Sequence, residues 1–253
     1  RIYRFRCVEG WAAVVPWVHG ATTPVAPLGP EIRFDHFSTD SGLSQSNVTA
    51  LAQDGPGFLW IGTERGLNRF DGVSFLQLRH EPGNPDSLGN DRIHWLMVDR
   101  SGQLWVATDA GIDRFDAERA TFEHHRHDPD DPESLAADHV KALAEDPDGR
   151  LWVATFGGGL DLYDPAAGKV VAHHRHDPED PGSLASDDLW CVLVDRSRRV
   201  WAGTDGRGLD RLDLLSGTIT HFRHDPDDPG SLSDDVVLAL FEDRDGTVWA
   251  GTA

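Results

Sequence analysis

Cysteine is scarce in this 253-residue chain: Cys7 and Cys191 are the only two, and they lie far apart. Such spacing supports neither a disulfide framework nor a zinc cluster. Positive charge is also short, with 23 lysines and arginines against 43 aspartates and glutamates, a formal net charge of −20. Nucleic acid is not expected as a partner, because phosphate binding needs a basic face. The acidic excess reads instead as a solvated, soluble surface. No apolar run approaches the ~20 residues of a membrane helix. Common catalytic signatures are missing too: there is no G-x-S-x-G elbow, no glycine loop for phosphate and no paired cysteine.

What the chain does have is repetition. "RHEPGNPDSLGND" begins at Arg79, "RHDPDDPESLAAD" at Arg126, "RHDPEDPGSLASD" at Arg175 and "RHDPDDPGSLSDD" at Arg223. A fixed period must be settled before any motif is weighed. Leu43, Leu88, Leu135, Leu184 and Leu232 each stand eleven residues before Asp54, Asp99, Asp146, Asp195 and Asp243. Six residues past each Asp comes Trp60, Trp105, Trp152, Trp201 or Trp249, and three further on Thr63, Thr108, Thr155, Thr204 or Thr252. With 39% hydrophobic residues the chain can bury a sizeable core, and the unbroken period argues for one array over residues 31–253. Units are read near 34–73, 74–118, 121–168, 170–217 and 218–253. Residues 1–30 stand outside: Arg1, Arg4 and Arg6 precede "WAAVVPWV" and a small-residue stretch, the pattern of an export signal, with an unstructured leader as the alternative.

Each unit holds four short β-rich runs, clearest at Val48–Asp54, Phe58–Thr63, Gly66–Asp71 and Ser74–His80. Short strands with a turn between every pair indicate antiparallel β architecture, and four strands per unit suit a propeller blade rather than a helical solenoid. The expected fold is all-β, a propeller of four-stranded antiparallel blades. It should have about nineteen strands in four whole blades and half a fifth, with Glu31–Phe37 as an outer strand left for ring closure. In the first turn Asp is followed three places later by Gly57, Gly102, Gly149 and Gly246, which suits positive φ before the next strand. Arg198 breaks that rule, a strain of about 1 kcal/mol if the angle persists. The recurring Asp and Trp residues are read as structural, each ring packing between adjacent blades.

The pattern L-x4-V-x5-D-x2-G-x-L-W-x-G-T-x2-G-L-x-R-x-D, over Leu43–Asp71, resembles the two-component regulator propeller repeat. The resemblance recurs five times between Phe34 and Thr252, departing locally at Arg198 and in "TFGGGL" and "TDGRGL". It implies the extracytoplasmic sensor of a hybrid histidine kinase or a diguanylate cyclase, a periplasmic part of an inner-membrane receptor without catalysis or cofactor of its own. Related sensors carry seven blades, so the chain reads as a fragment of about four and a half. Implied partners are a small polar ligand such as an oligosaccharide, the remaining propeller and membrane-proximal parts, and a second copy through the full-length receptor. The alternatives are a propeller glycan hydrolase or lyase, and a protein-interaction scaffold. A sialidase would need a tyrosine nucleophile, and the array offers only Tyr163, where other units place Phe70, Phe115 and Leu212.

The Asp-rich loops are read as stiff connectors between blades, with calcium binding as the rival reading and no metal site assigned. They should share one face of the disc with the T-x-x-G turns. A ligand site should lie where the repeats diverge on that face. Arg65, Arg92, His139, Phe156 and Arg207 occupy such positions and suit a sugar or uronate.

Overall fold

A computed structural model describes residues 4–8 and 33–253, and the proposed export signal lies almost wholly outside them. Strands β1 (Arg4–Val8) and β2 (Arg33–Phe37) pair in parallel. The first blade contains β3 (Val48–Gln53), β4 (Leu59–Thr63), β5 (Gly66–Phe70) and β6 (Phe75–Leu78). The second contains β7 (Ile93–Val98), β8 (Leu104–Thr108), β9 (Gly111–Asp116) and β10 (Thr121–His125). In the third are β11 (Val140–Glu145), β12 (Leu151–Thr155), β13 (Leu160–Asp164) and β14 (Lys169–His174). The fourth comprises β15 (Leu189–Val194), β16 (Arg199–Thr204), β17 (Leu209–Asp213) and β18 (Ile219–Phe222). β19 (Val237–Glu242) and β20 (Val248–Thr252) form a two-stranded fifth sheet. Among the described residues the only helix is the 3-10 turn Thr39–Ser41.

Within each blade the strands are antiparallel and follow chain order, as in a propeller. Two details differ from the sequence expectation. β2 is a strand, but it is paired with β1, while Phe37 packs on Phe70 and Phe75 at ring distances of 5.0 and 5.5 Å. The sequence units are also offset by one strand from the sheets. The unit opening near residue 74 starts with β6, the outer strand of the preceding blade. Periodicity fixes the length of a repeat and leaves its starting point open; the hydrogen-bond ladder decides where a blade begins.

The recurring Asp and Trp form one device. In the first turn of blade 1, Asp54 Oδ1 accepts from the Gly57 and Phe58 amides at 3.0 and 2.8 Å, while Oδ2 accepts from Trp60 Nε1 at 2.9 Å. Trp105, Trp201 and Trp249 donate in the same way to Asp99, Asp195 and Asp243, each at 2.8 Å. Trp152 is the exception: Asp146 still holds its turn, but Trp152 Nε1 is buried without a hydrogen-bond partner. The rings pack between blades as expected. Trp60 meets Phe115 of the next blade at 5.0 Å, and Trp105 meets Tyr163 at 5.7 Å. Tyr163 is therefore a core residue, and burial pushes its hydroxyl pKa up.

A second device joins each outer strand to the crossover before it. Asp113, Asp161 and Asp210, on the third strands, are fully buried carboxylates. Each accepts from a crossover amide, of Gly89, Ala136 or Ala185, at 2.6 to 2.7 Å. Each also lies 2.6 Å from Nδ1 of His124, His173 or His221, whose Nε2 meets the carbonyl of Pro85, Pro132 or Pro181. Blade 1 has Asn68 in this place, accepting from the Ser44 amide at 2.8 Å. A buried carboxylate is tolerable only when its oxygens are so occupied.

Arg198 does adopt positive φ, +60°, where the equivalent glycines lie between +81° and +99°. Its only side-chain compensation is an exposed ion pair with Asp148 at 3.0 Å, worth at most about 1 kcal/mol. Arg198→Gly is expected to leave stability unchanged or raise it by up to about 1 kcal/mol, read as a higher urea midpoint. Among the turn carboxylates, Asp99→Ala should cost about 2–3 kcal/mol because it orphans a buried indole and the turn amides. Asp146→Ala should cost less, since no indole depends on it. Asp243→Ala should cost least, because Trp249 is 61% exposed. Urea denaturation of the three variants checks that order.

Candidate functional site

Topology gathers two kinds of loop on one face. The crossovers run from the outer strand of one blade to the inner strand of the next, and the T-x-x-G turns reach the same side. Hydrogen bonds join them: the amides of Gly66, Gly111, Gly159 and Gly208 donate to the carbonyls of Asp91, Asp138, Asp187 and Asp235 at 2.7 to 2.9 Å. The repeat threonine closes each turn from within, Thr63 Oγ1 donating to the Gly66 carbonyl at 2.8 Å.

The Asp-rich crossovers are largely occupied with themselves. The rings of His80, His127, His176 and His224 hold the carbonyls of Leu88, Leu135, Leu184 and Leu232 through Nδ1 at 2.6 to 2.8 Å. Their backbone amides donate to Asp91, Asp138, Asp187 and Asp235, each at 2.7 Å. In the last three loops, Ser134, Ser183 and Ser231 accept from the amide and donate to the carbonyl of one Asp, across six residues. These contacts give the loop a fixed shape and support its reading as a connector.

Inner strands supply what the loops lack. Each has a register shift at its start, so that Thr49, His94, Lys141, Trp190 and Leu238 are skipped in the pairing with the next strand. A bulge re-aims a side chain and frees it from the ladder. Three of these residues, His94, Lys141 and Trp190, meet loop residues in one cluster across blades 2 to 4. His94 Nε2 lies 2.7 Å from Asp109 Oδ1, and the His94 and His139 rings are 5.1 Å apart. His139 Nε2 is 3.0 Å from the same oxygen but not aligned for a hydrogen bond, so this shielded nitrogen has no partner. Phe156 follows at 5.5 Å from His139 and 5.5 Å from Trp190. Lys141 Nζ sits 4.6 Å above the Trp190 ring, in cation–π range, and Trp190 Nε1 is a second shielded atom without a partner. Arg92 closes the edge, 3.7 Å from Asp109 and 3.9 Å from Glu64.

Of the five residues singled out from the sequence, Arg92, His139 and Phe156 thus come together. Arg65 and Arg207 are exposed, and their side chains make no hydrogen bond or ion pair among the described residues. His94, Lys141 and Trp190 were not anticipated. Their signal was available: they share one repeat position, which varies as Thr, His, Lys, Trp and Leu beside a conserved-looking run of Val, Ile and Leu.

Electrostatics divides the histidines into two groups. Burial holds the pKa of His94 and His139 below the ordinary value, with Lys141 acting in the same direction and Asp109 opposing. Burial also lowers Lys141. His124 is raised by its hydrogen bond to Asp113; His221 is raised despite burial, because Asp210 and the Pro181 carbonyl both favour its protonated form. The free thiol of Cys191 is buried and its pKa is pushed up to about 12, which removes it as a nucleophile.

Comparison with known proteins agrees with the repeat reading. Residues 42–65, 87–110, 134–157 and 231–253 match the two component regulator propeller model. The fourth unit, which carries Arg198, is not among the matched stretches. Over 55 residues the chain is 46% identical to Histidine kinase P4 of Formosa agariphila, a match covering 22% of this chain and 4% of that protein. The extracellular domain of a hybrid two component system from B. thetaiotaomicron superposes with a TM-score of 0.75 at 27% identity, over 86% of this chain and 29% of that one. A second such domain from the same organism gives 0.68 at 23%, over 81% and 28%, and supports the fold alone. The chain therefore spans less than a third of each of these relatives. No helix among the described residues is long and apolar enough to cross a membrane.

The two histidine groups should separate in an NMR pH titration, with His94 and His139 below about 6.5 and His124 and His221 above it. The signs for stability are opposite. Raised His124 and His221 contribute stability that is full below about 6.5 and lost as pH rises through their folded values. Depressed His94 and His139 contribute stability that is full above about 6.5 and lost as pH falls through theirs.

Proposed function

We propose that this chain, built of two-component regulator propeller repeats, is a non-catalytic ligand-sensing segment of an extracytoplasmic receptor with histidine kinase or diguanylate cyclase output. The ligand is a small polar molecule with a stackable face, of the sugar or uronate class, and it docks over Arg92, His139, Phe156 and Trp190. One observation supports this above the rest: bulged inner-strand positions bring cationic, imidazole and aromatic groups from three blades to one cluster. The opposite face repeats the same Asp turn from blade to blade and offers little to distinguish one ligand from another. Aromatic faces suit the apolar side of a pyranose, and Arg92 with Lys141 suits a carboxylate. The similarity to extracellular domains of hybrid two component systems supports the receptor setting and the periplasmic side of the membrane.

The test is calorimetry of the protein against neutral and acidic oligosaccharides, repeated with Arg92→Ala and Trp190→Ala. A charge-assisted contact is worth about 1.5–3 kcal/mol, so Arg92→Ala should weaken binding of an acidic sugar at least tenfold. Trp190→Ala should weaken neutral and acidic sugars alike. Unchanged affinity in both variants would move the site elsewhere, and turnover of a bound sugar would replace the sensor reading by the glycan hydrolase or lyase alternative.

A further inference from the structure

The cluster contains a set of potential ligand atoms, of which only those of His139 belong also to the proposed docking surface. One ring nitrogen each of His94 and His139 and a carboxylate oxygen of Asp109 all lie within 4.8 Å of one another. They arrive from separate places: His94 from the bulge of β7, Asp109 from the turn after β8, and His139 from the end of the crossover into β11. The arrangement is unfinished as a hydrogen-bond network. Asp109 Oδ1 receives His94 at 2.7 Å, but His139 Nε2, 3.0 Å from that oxygen and shielded from solvent, has no aligned partner. A buried polar atom left unsatisfied is destabilising, so the position wants a third participant.

We propose that His94, His139 and Asp109 form a binding site for a divalent transition-metal ion of the zinc type. Spacing decides in its favour. Ligands held about 2.0–2.2 Å from a tetrahedral ion are about 3.3–3.6 Å from one another. The present separations of 2.7 and 3.0 Å from the carboxylate oxygen would open by less than about 1 Å, within reach of side-chain adjustment. Two imidazoles and one carboxylate select zinc over calcium or magnesium, which prefer six or more oxygens or an octahedral shell.

Two cations oppose the ion. Arg92, with its side chain 54% exposed, pairs only loosely with Asp109 and can swing away at little cost. Lys141 is held against Trp190 and remains. Its repulsion weakens every divalent ion alike, so the choice of zinc over calcium rests on the two imidazole nitrogens. Three protein ligands leave the fourth position free for water or for an oxygen of a bound molecule. The site shares His139 with the proposed docking surface but does not depend on a sugar ligand being there.

The experiment uses the chelator-treated protein with no carbohydrate present. Calorimetric titration with Zn2+ is expected to give one strong site per chain, with Ca2+ at least about 100-fold weaker. Asp109→Asn and His139→Gln should each reduce zinc affinity at least tenfold, while His176→Gln, whose ring holds the Leu184 carbonyl and takes no part in the triad, should leave it unchanged. Co2+ supplies a readout that needs no variant: the visible spectrum of an ion held by nitrogen and oxygen in a low-coordinate site should develop at one equivalent. Zinc binding that survives both site variants, or is lost only in His176→Gln, would place the ion on the acidic crossovers and overturn the proposal. So would the absence of binding and of a cobalt spectrum, which would still leave the sugar reading standing.

Discussion

Each whole blade packs its tryptophan toward a neighbour, and at Trp60, Trp105 and Trp201 the turn Asp receives the indole N–H, while Trp152 is buried without that bond. A tryptophan buries roughly 150–250 Å², worth about 4–6 kcal/mol at ~25 cal/mol per Å². That exceeds the hydrogen bond to Asp several-fold, so burial drives the packing and the carboxylate removes a penalty. The burial itself depends on the next blade. Trp60, Trp105 and Trp152 are at most 2% exposed, Trp201 is half-buried beside a two-stranded sheet, and Trp249 is 61% exposed where no described blade follows. The same Asp also fixes the turn through its other oxygen, which ties the inter-blade contact to the local hairpin. This coupling explains why Asp and Trp recur at constant spacing while the loops between units vary by several residues.

The crossovers face a different demand. They must span from outer to inner strand with few apolar residues to hold them, and they do so by hydrogen bonds from within. Each ends in a Leu tucked under the next blade, while a His caps that leucine's carbonyl and an Asp receives the backbone of the His. The third-strand Asp then reaches across to the crossover amide, and the outer-strand His completes the connection. Much of the chain's acidity is consequently structural. Cationic, imidazole and aromatic groups stand out against that background at one cluster, where bulged strands release side chains that a regular ladder would hold in the sheet.

The fold was open to inspection in the sequence because it rests on local rules repeated five times. Strand, turn and period could each be checked against four other copies, and even the odd residue, Arg198, announced the positive φ it adopts. The candidate site was only partly visible. Arg92, His139 and Phe156 lie in loops where divergence is easy to see, but His94, Lys141 and Trp190 sit inside strands, where variation looks like ordinary packing. Nothing local marks a bulge in "IHWLMV" or "LWCVLV". The pairing partner creates it.

The sequence by itself determined the blade, its strand count, the turn chemistry and the face to which the variable loops belong, because strand and turn preferences act within a few residues. Tertiary structure alone decided three things. It set where each sheet begins relative to the repeat, since that depends on which strands share hydrogen bonds. It joined outer-strand histidines to buried aspartates eleven or twelve residues away and to crossover carbonyls some forty residues away. And it brought His94, Asp109 and His139 from two blades within reach of one another, a proximity fixed by how adjacent sheets pack and not by any spacing along the chain.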